Sequence, residues 1–204
     1  MNDQNCPVRR IREILAGREI KVLDDMGREG YRHAGVLLPL LEEGGVCKVL
    51  FTQRTQLVEH HKGQISFPGG AVEAEDASIE ATVLRETFEE IGLSTQDIEI
   101  LGSLDDALTL ASNFIIHPVV GVVTSLDNLR VNRSEVDRVI MAPLNFFSQP
   151  PSENSRYRVE YEGMTYETPA YKYGEHMIWG ATARMMQNLV EILEDKLYLP
   201  QTPK

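Results

Sequence analysis

The segment from Ala77 to Ile91 runs without a glycine or proline, is rich in Glu and Ala, and stops at Gly92. That pattern predicts a helix closed by a glycine C-cap. Just upstream, Gln64 to Phe67 reads as a short strand halted by Pro68-Gly69-Gly70, where bare backbone can approach a ligand and a carbonyl is left accessible. The helix carries Glu86, Glu89 and Glu90, which at i, i+3 and i+4 share one face. Like charges so placed repel by a few tenths of a kcal/mol per pair when exposed. Clustered carboxylate oxygens also suit a hard divalent cation such as Mg²⁺, whose binding relieves that repulsion. An acidic, solvated helix face is the plainer alternative, and an isolated triplet does not decide between them.

The rest of the chain alternates strand-like and helix-like segments. Pro7 to Gly17 has Val8, Ile11, Ile14 and Leu15 at helical spacing. Gly35 to Leu41 and Val46 to Thr52 flank Glu42-Glu43-Gly44-Gly45 and predict two strands joined by a turn. Ile98 to Leu104, Ile115 to Val123 and Val136 to Met141 read as strands, and Tyr157 to Tyr161 with Thr165 to Glu167 as a hairpin around Gly163. Ile178-Trp179-Gly180 leads into a helical pattern from Ala181 to Leu193. There is no internal repeat and no low-complexity linker. The expectation is an α/β domain with a mixed sheet over residues 31–198, preceded by a helical extension over residues 1–30.

Charge narrows the function. The 204 residues carry a net charge of −11, and the stretch from Glu73 to Glu99 alone holds eight of those excess negative charges. A chain of this sign is a poor non-specific binder of nucleic acid, whose affinity rests on basic side chains displacing counterions. An anionic small molecule remains accessible where divalent cations reverse the local sign. No apolar run approaches the roughly 18 to 20 residues of a spanning helix, and residues Met1 to Gly17 lack a signal-peptide core. A cytoplasmic location without membrane attachment is the resulting expectation. Cys6 and Cys47 have no neighbouring Cys or His, so one surface thiol and one strand thiol are expected rather than a disulfide or a zinc site.

The glycine turn and acidic helix resemble the Nudix hydrolase family, whose box runs Gly, five residues, Glu, seven residues, then Arg-Glu-aliphatic-x-Glu-Glu-x-Gly-aliphatic. Its second half stands here as Arg85-Glu86-Thr87-Phe88-Glu89-Glu90-Ile91-Gly92-Leu93, departing only at Thr87. In the first half, 14 residues separate Gly70 from Arg85, one more than usual, and Ala77 occupies the place of the box's first Glu with Asp76 beside it. That expansion resembles the coenzyme A pyrophosphatase subfamily. So do Leu50-Phe51-Thr52-Gln53-Arg54-Thr55, then His61, then Gly63-Gln64-Ile65-Ser66-Phe67-Pro68-Gly69-Gly70. Phe114 to Val120 and Ile178 to Ala183 extend the likeness further along the chain.

The resemblance implies an α/β/α sandwich with a mixed sheet and a pyrophosphatase dependent on Mg²⁺ or Mn²⁺. The implied substrate is a nucleoside diphosphate derivative, with coenzyme A or acyl-CoA first and ADP-ribose or a dinucleotide as alternatives. Glu86, Glu90, Glu89 and the carbonyl of Gly70 are the implied metal ligands. The catalytic set is Glu89, Glu135 and Arg85, with Glu135 the candidate general base and Arg85 orienting a neighbouring carboxylate. Arg54, His61, Lys62, Gly69 and Gly70 are the implied substrate contacts. Homodimers are frequent in the family, so a homodimer is a further possibility. His117 reads as a buried, hydrogen-bonded histidine, and Tyr171, Tyr173 and Trp179 as core rather than adenine-stacking residues. A non-catalytic nucleotide sensor on the same fold, expected to lack one of the three helical carboxylates, is the rival from another class.

Overall fold

A computed structural model describes residues 6–23, 30–56, 62–109, 112–148, 156–161 and 164–194. The elements run α1 (Val8–Ala16), β1 (Arg32–Glu43), β2 (Val46–Arg54), β3 (Ile65–Ser66), β4 (Gly69–Ala71), α2 (Ile79–Ile91), β5 (Ile98–Ser103), β6 (Ala107–Thr109), β7 (Phe114–Val123), β8 (Val136–Pro143), a 3₁₀ turn (Leu144–Ser148), β9 (Arg156–Tyr161), β10 (Met164–Tyr173), β11 (His176–Trp179) and α3 (Gly180–Glu194). Eight strands form a mixed sheet and β9 to β11 a separate antiparallel one.

β1 is the spine. Its residues 34–41 are buried without interruption, as expected for a strand covered on both faces. Side chains of a strand alternate between faces, and the two cores follow that alternation. Leu37 and Leu41 of β1 and Val119 and Val123 of β7 meet Val83 and Ile91 of α2. Val36, Leu38 and Leu40 meet the other layer, built from Ile11, Ile14 and Leu15 of α1 and Met186, Leu189 and Val190 of α3. The result is the expected α/β/α sandwich.

The sheet is forked, and the fork positions the site. On one edge of β1, residues Leu40 to Glu43 pair with β2, while Ala34 to Val36 pair with β4. Past Val49, β2 turns its inner edge to β3 through Thr52 and Gln53 and keeps its outer edge on β8. Phe67 and Pro68 bridge β3 and β4 in the gap. The Pro68 carbonyl accepts from the Leu37 N–H at 2.9 Å, and Phe67 stacks on Phe51, which in turn meets Phe147. The start of α3 is pinned to the same place, its buried Thr182 hydroxyl donating to the Ile65 carbonyl at 3.2 Å. β7 runs parallel to β1 on the other edge, from Arg32 opposite Phe114 to Leu40 opposite Val122.

The expectation of two unrelated thiols is corrected: Cys6 and Cys47 form a disulfide, their Cα atoms 4.3 Å apart. Nothing in their spacing signals this. It follows from packing, because the apolar face of α1 enters the same core as β2 and carries Cys6 over the start of that strand. The chain after α1 is also fastened. Arg18 donates to the Ser103 carbonyl at 3.2 Å and pairs with Asp105, and the Lys21 and Leu23 N–H groups donate to Asp105 and Asp106 at 3.0 and 2.9 Å. Cys6 and the apolar face of α1 are therefore part of the common core, and the residues that follow to Leu23 are tied to its surface.

His117 is partly buried and hydrogen-bonded, its Nδ1 2.8 Å from Asp106 and its Nε2 2.8 Å from Nδ1 of His33. Tyr171 and Tyr173 pack on Phe147 and Phe146, and Trp179 stacks on Tyr157. Among the described residues no helix is long and apolar enough to cross a membrane.

A disulfide spanning 41 residues stabilises by about 4 kcal/mol in the chain-entropy account. Reduction, or Cys47→Ser, is expected to lower the melting temperature by roughly 5 to 15 °C. A melting curve unchanged by reductant would contradict the linkage.

Candidate active site

Two glycines let the backbone of β4 lie where no other residue could. At Gly69, with φ +150°, a Cβ would overlap the carbonyl oxygen of Gly35 on β1. At Gly70 a Cβ would overlap the carboxylate of Glu86, so the bare backbone is what admits that carboxylate. Opposite stands α2, started by Ser78, whose side chain accepts from the Ala81 N–H at 3.2 Å, and ended by Gly92 at φ 76°. Val83 and Ile91 anchor it to the sheet. Thr87, the departure from the box, is buried and donates its hydroxyl to the Val83 carbonyl at 2.7 Å. It is satisfied within its own helix.

The three helical carboxylates share a face but not an environment. The Glu90 side chain is 2% exposed, Glu86 16% and Glu89 51%. Desolvation pushes the Glu90 carboxyl up to about 8, only partly offset by the charge of Arg54. It also raises Glu86, against the pull of Arg85. Glu135 adds to both shifts through its own negative charge. Its Oε1 accepts from the Asn132 amide at 3.2 Å and its carbonyl from the Thr55 N–H at 2.9 Å. The segment before β8 thus brings Glu135 near enough for its charge to act on both helix carboxylates.

Two arginines neutralise this cluster in different ways. Arg85 is saturated: Nε and Nη2 form a fork on Asp76 at 3.0 and 2.9 Å, Nη2 also meets the Ala71 carbonyl at 3.1 Å, and Nη1 donates to Glu86 at 2.9 Å and Glu89 at 3.2 Å. That fork holds the Asp76 carboxyl well below the usual range, helped by the Glu73 N–H and the Thr82 hydroxyl. Asp76 thereby supplies the carboxylate that Ala77 lacks. Arg54 is unsaturated. Its Nη1 lies 3.6 Å from Glu90 Oε1, beyond hydrogen-bond length. Both Arg54 Nε and Glu90 Oε2 are buried with no hydrogen-bond partner among the described residues.

The structure thus gathers Glu86, Glu89 and Arg85 in one hydrogen-bonded group, sets Glu90 against Arg54, and backs Glu86 with Gly70. Lys62 is exposed in the turn before β3, with no ion pair to this group among the described residues, and His61 lies outside them. No three His, Cys, Asp or Glu side chains form a ready cation cage among the described residues. Here the arginines stand as the counter-cations of the carboxylates. Sequence reasoning did not find Asp76 as the partner of Arg85, because a position nine residues away follows no helical spacing. The contact of Arg54 with Glu90 joins two elements far apart in the chain and had no sequence signal.

Comparisons with known proteins identify the family and the fold. The sequence model of the NUDIX domain matches residues 31–160. A Nudix hydrolase, NudL, from Photorhabdus laumondii is 34% identical over 166 residues, 78% of this chain and 84% of its own. Human mitochondrial coenzyme A diphosphatase NUDT8 is 32% identical over 195 residues, 94% of this chain and 80% of its own. A MutT/nudix family protein from Enterococcus faecalis superposes with a TM-score of 0.56 at 18% identity, over 83% of this chain and 64% of that one. Ap4A hydrolase from C. elegans, in a binary complex, gives 0.52 at 13% identity over 81% and 97%. At those identities the likeness is one of fold. With a domain match over residues 31–160 and relatives above 30% identity that cover 78% and 94% of it, this chain belongs to the Nudix hydrolase family.

Proposed function

We propose that this Nudix hydrolase cleaves the pyrophosphate of coenzyme A or acyl-CoA with Mg²⁺ or Mn²⁺, releasing 3′,5′-ADP and (acyl-)phosphopantetheine. The observation that carries the metal reading is the buried, unpartnered Oε2 of Glu90, since a desolvated carboxylate oxygen without a donor calls for a cation. Glu86, pressed against the bare backbone of Gly70, supplies a second oxygen beside it. The substrate reading is supported by the 32% identity to a coenzyme A diphosphatase across 94% of this chain, together with the Arg54 and Phe67-Pro68-Gly69-Gly70 motifs.

Glu86, Glu90 and the Gly70 carbonyl would hold the ion, with Glu89, the most exposed of the three, reaching a second ion or a water. A divalent cation held there would neutralise charge on the pyrophosphate oxygens and lower the pKa of bound water towards neutrality. The protein's own groups supply the rest. Arg85, locked on Asp76, keeps Glu86 in one orientation. Glu135, with Oε1 held by Asn132, takes the proton of the attacking water at a carboxylate oxygen. The water oxygen bonds to one phosphorus as its bridging P–O bond breaks, leaving a phosphomonoester on each product. Arg54, with His61 and Lys62, meets the phosphates, and Gly69 and Gly70 allow close approach of the backbone.

Chromatography of products from coenzyme A, ADP-ribose and dinucleotides with Mg²⁺ is expected to show 3′,5′-ADP from coenzyme A as the fastest reaction. Brisk cleavage of ADP-ribose or a dinucleotide with coenzyme A left intact would overturn the substrate reading. Glu90→Gln is expected to cut turnover by more than about 100-fold while stabilising the metal-free protein at alkaline pH. The sign follows from the raised carboxyl. Stability from protonated Glu90 is full below its ordinary value of 4.5 and is lost as pH rises through about 8. Metal-free Glu90→Gln should therefore melt higher than the parent at pH 8 but not at pH 4.5. Equal melting temperatures at pH 8 would count against the buried charge.

A further inference from the structure

Two arginines face the same carboxylate cluster, and their bonding separates their roles. Arg85 spends its guanidinium on five acceptor contacts at hydrogen-bond distance, on Asp76, Ala71, Glu86 and Glu89. Releasing it would break all of them. Arg54 touches Glu90 only at 3.6 Å, keeps a buried Nε without a partner, and is 26% exposed, so its side chain has a path to solvent. Its backbone is nevertheless fixed, the Arg54 N–H donating to the Gln64 carbonyl at 2.9 Å where the β2–β8 register shifts. An ion pair with an unused donor on one side and an unused acceptor on the other is a poor structural clamp. It is a good resting arrangement for two groups that each take another ligand.

We propose that Arg54 is an exchangeable partner of Glu90: it lies against that carboxyl while no divalent ion is present, and is released to the phosphates of the substrate when one binds. A divalent ion held by Glu90 would compete with the guanidinium for the carboxyl and, being of like charge, would favour its release. The freed guanidinium then presents its fork to a phosphate. Metal and nucleotide consequently assist each other's binding, and a metal-free protein holds nucleotide weakly because its phosphate-binding arginine is engaged. The inference rests on the proposed metal site at the same carboxylates and assigns Arg54 a coupling role there.

The test compares the parent chain with Arg54→Ala and Arg54→Lys. Mg²⁺ alone is titrated into each protein, and affinity is read from the rise in melting temperature. Removing a competing cation should tighten Mg²⁺ binding by Arg54→Ala about 10-fold, while Arg54→Lys, which keeps the charge, should stay near the parent. Binding of 3′,5′-ADP at saturating Mg²⁺ should weaken at least about 10-fold in Arg54→Ala. In the parent, Mg²⁺ should strengthen 3′,5′-ADP binding, and Arg54→Ala should lose most of that enhancement. A purely structural arginine predicts weaker Mg²⁺ binding in Arg54→Ala, and that result, or unchanged Mg²⁺ affinity, would overturn the exchange while leaving the metal site standing. A parent protein that Mg²⁺ does not stabilise would overturn both.

Discussion

The structure turns on one costly act, the burial of the Glu90 carboxyl at 2% exposure with one oxygen left without a hydrogen bond. Taking such a group out of water is expensive unless a counter-charge or a proton accompanies it. Its neighbours read as responses to that cost. Arg54 offers charge without a hydrogen bond, and desolvation drives the carboxyl to about 8. A fold selected for stability alone would place an apolar residue there. Retaining the carboxylate makes sense when a cation is the intended partner.

Around that point the sheet forks. β1 pairs with β2 at one end and with β4 at the other, and the opening between them is filled by Phe67 and Pro68 locked to Phe51 and Leu37. The glycines of β4 are thereby presented rigidly to α2, while Arg85 and Asp76 fix the helix side. A site supported from two layers holds its groups within the small tolerances that catalysis needs. The disulfide and the Asp105 and Asp106 contacts extend that rigidity to the chain preceding β1.

Much of this was legible in the sequence because it is local. An unbroken Glu- and Ala-rich run closed by Gly92 located α2, and apolar runs located β1, β2, β5, β7 and β8. Short strands such as β4 and β6 carry too few residues to show a period, and exist because β1 and β7 offer free edges to them. The carboxylates were found through helical spacing, yet their unequal burial was not, because it depends on how α2 leans against the sheet. Pairings between distant elements, Cys6 with Cys47 and Arg54 with Glu90, leave no trace in spacing. Asp76 shows the same limit at short range: the loop bends back to Arg85, and only the fold makes that visible.

The proposed role of Glu90 is that of a desolvated carboxyl whose unpartnered oxygen takes a divalent ion. The most direct measurement is a ¹³C-carboxyl NMR titration of Glu90, with and without Mg²⁺. The account predicts a midpoint near 8 without metal and a fall of more than about one pH unit at saturating Mg²⁺. An ordinary carboxylate midpoint near 4.5, or a raised midpoint indifferent to Mg²⁺, would contradict it.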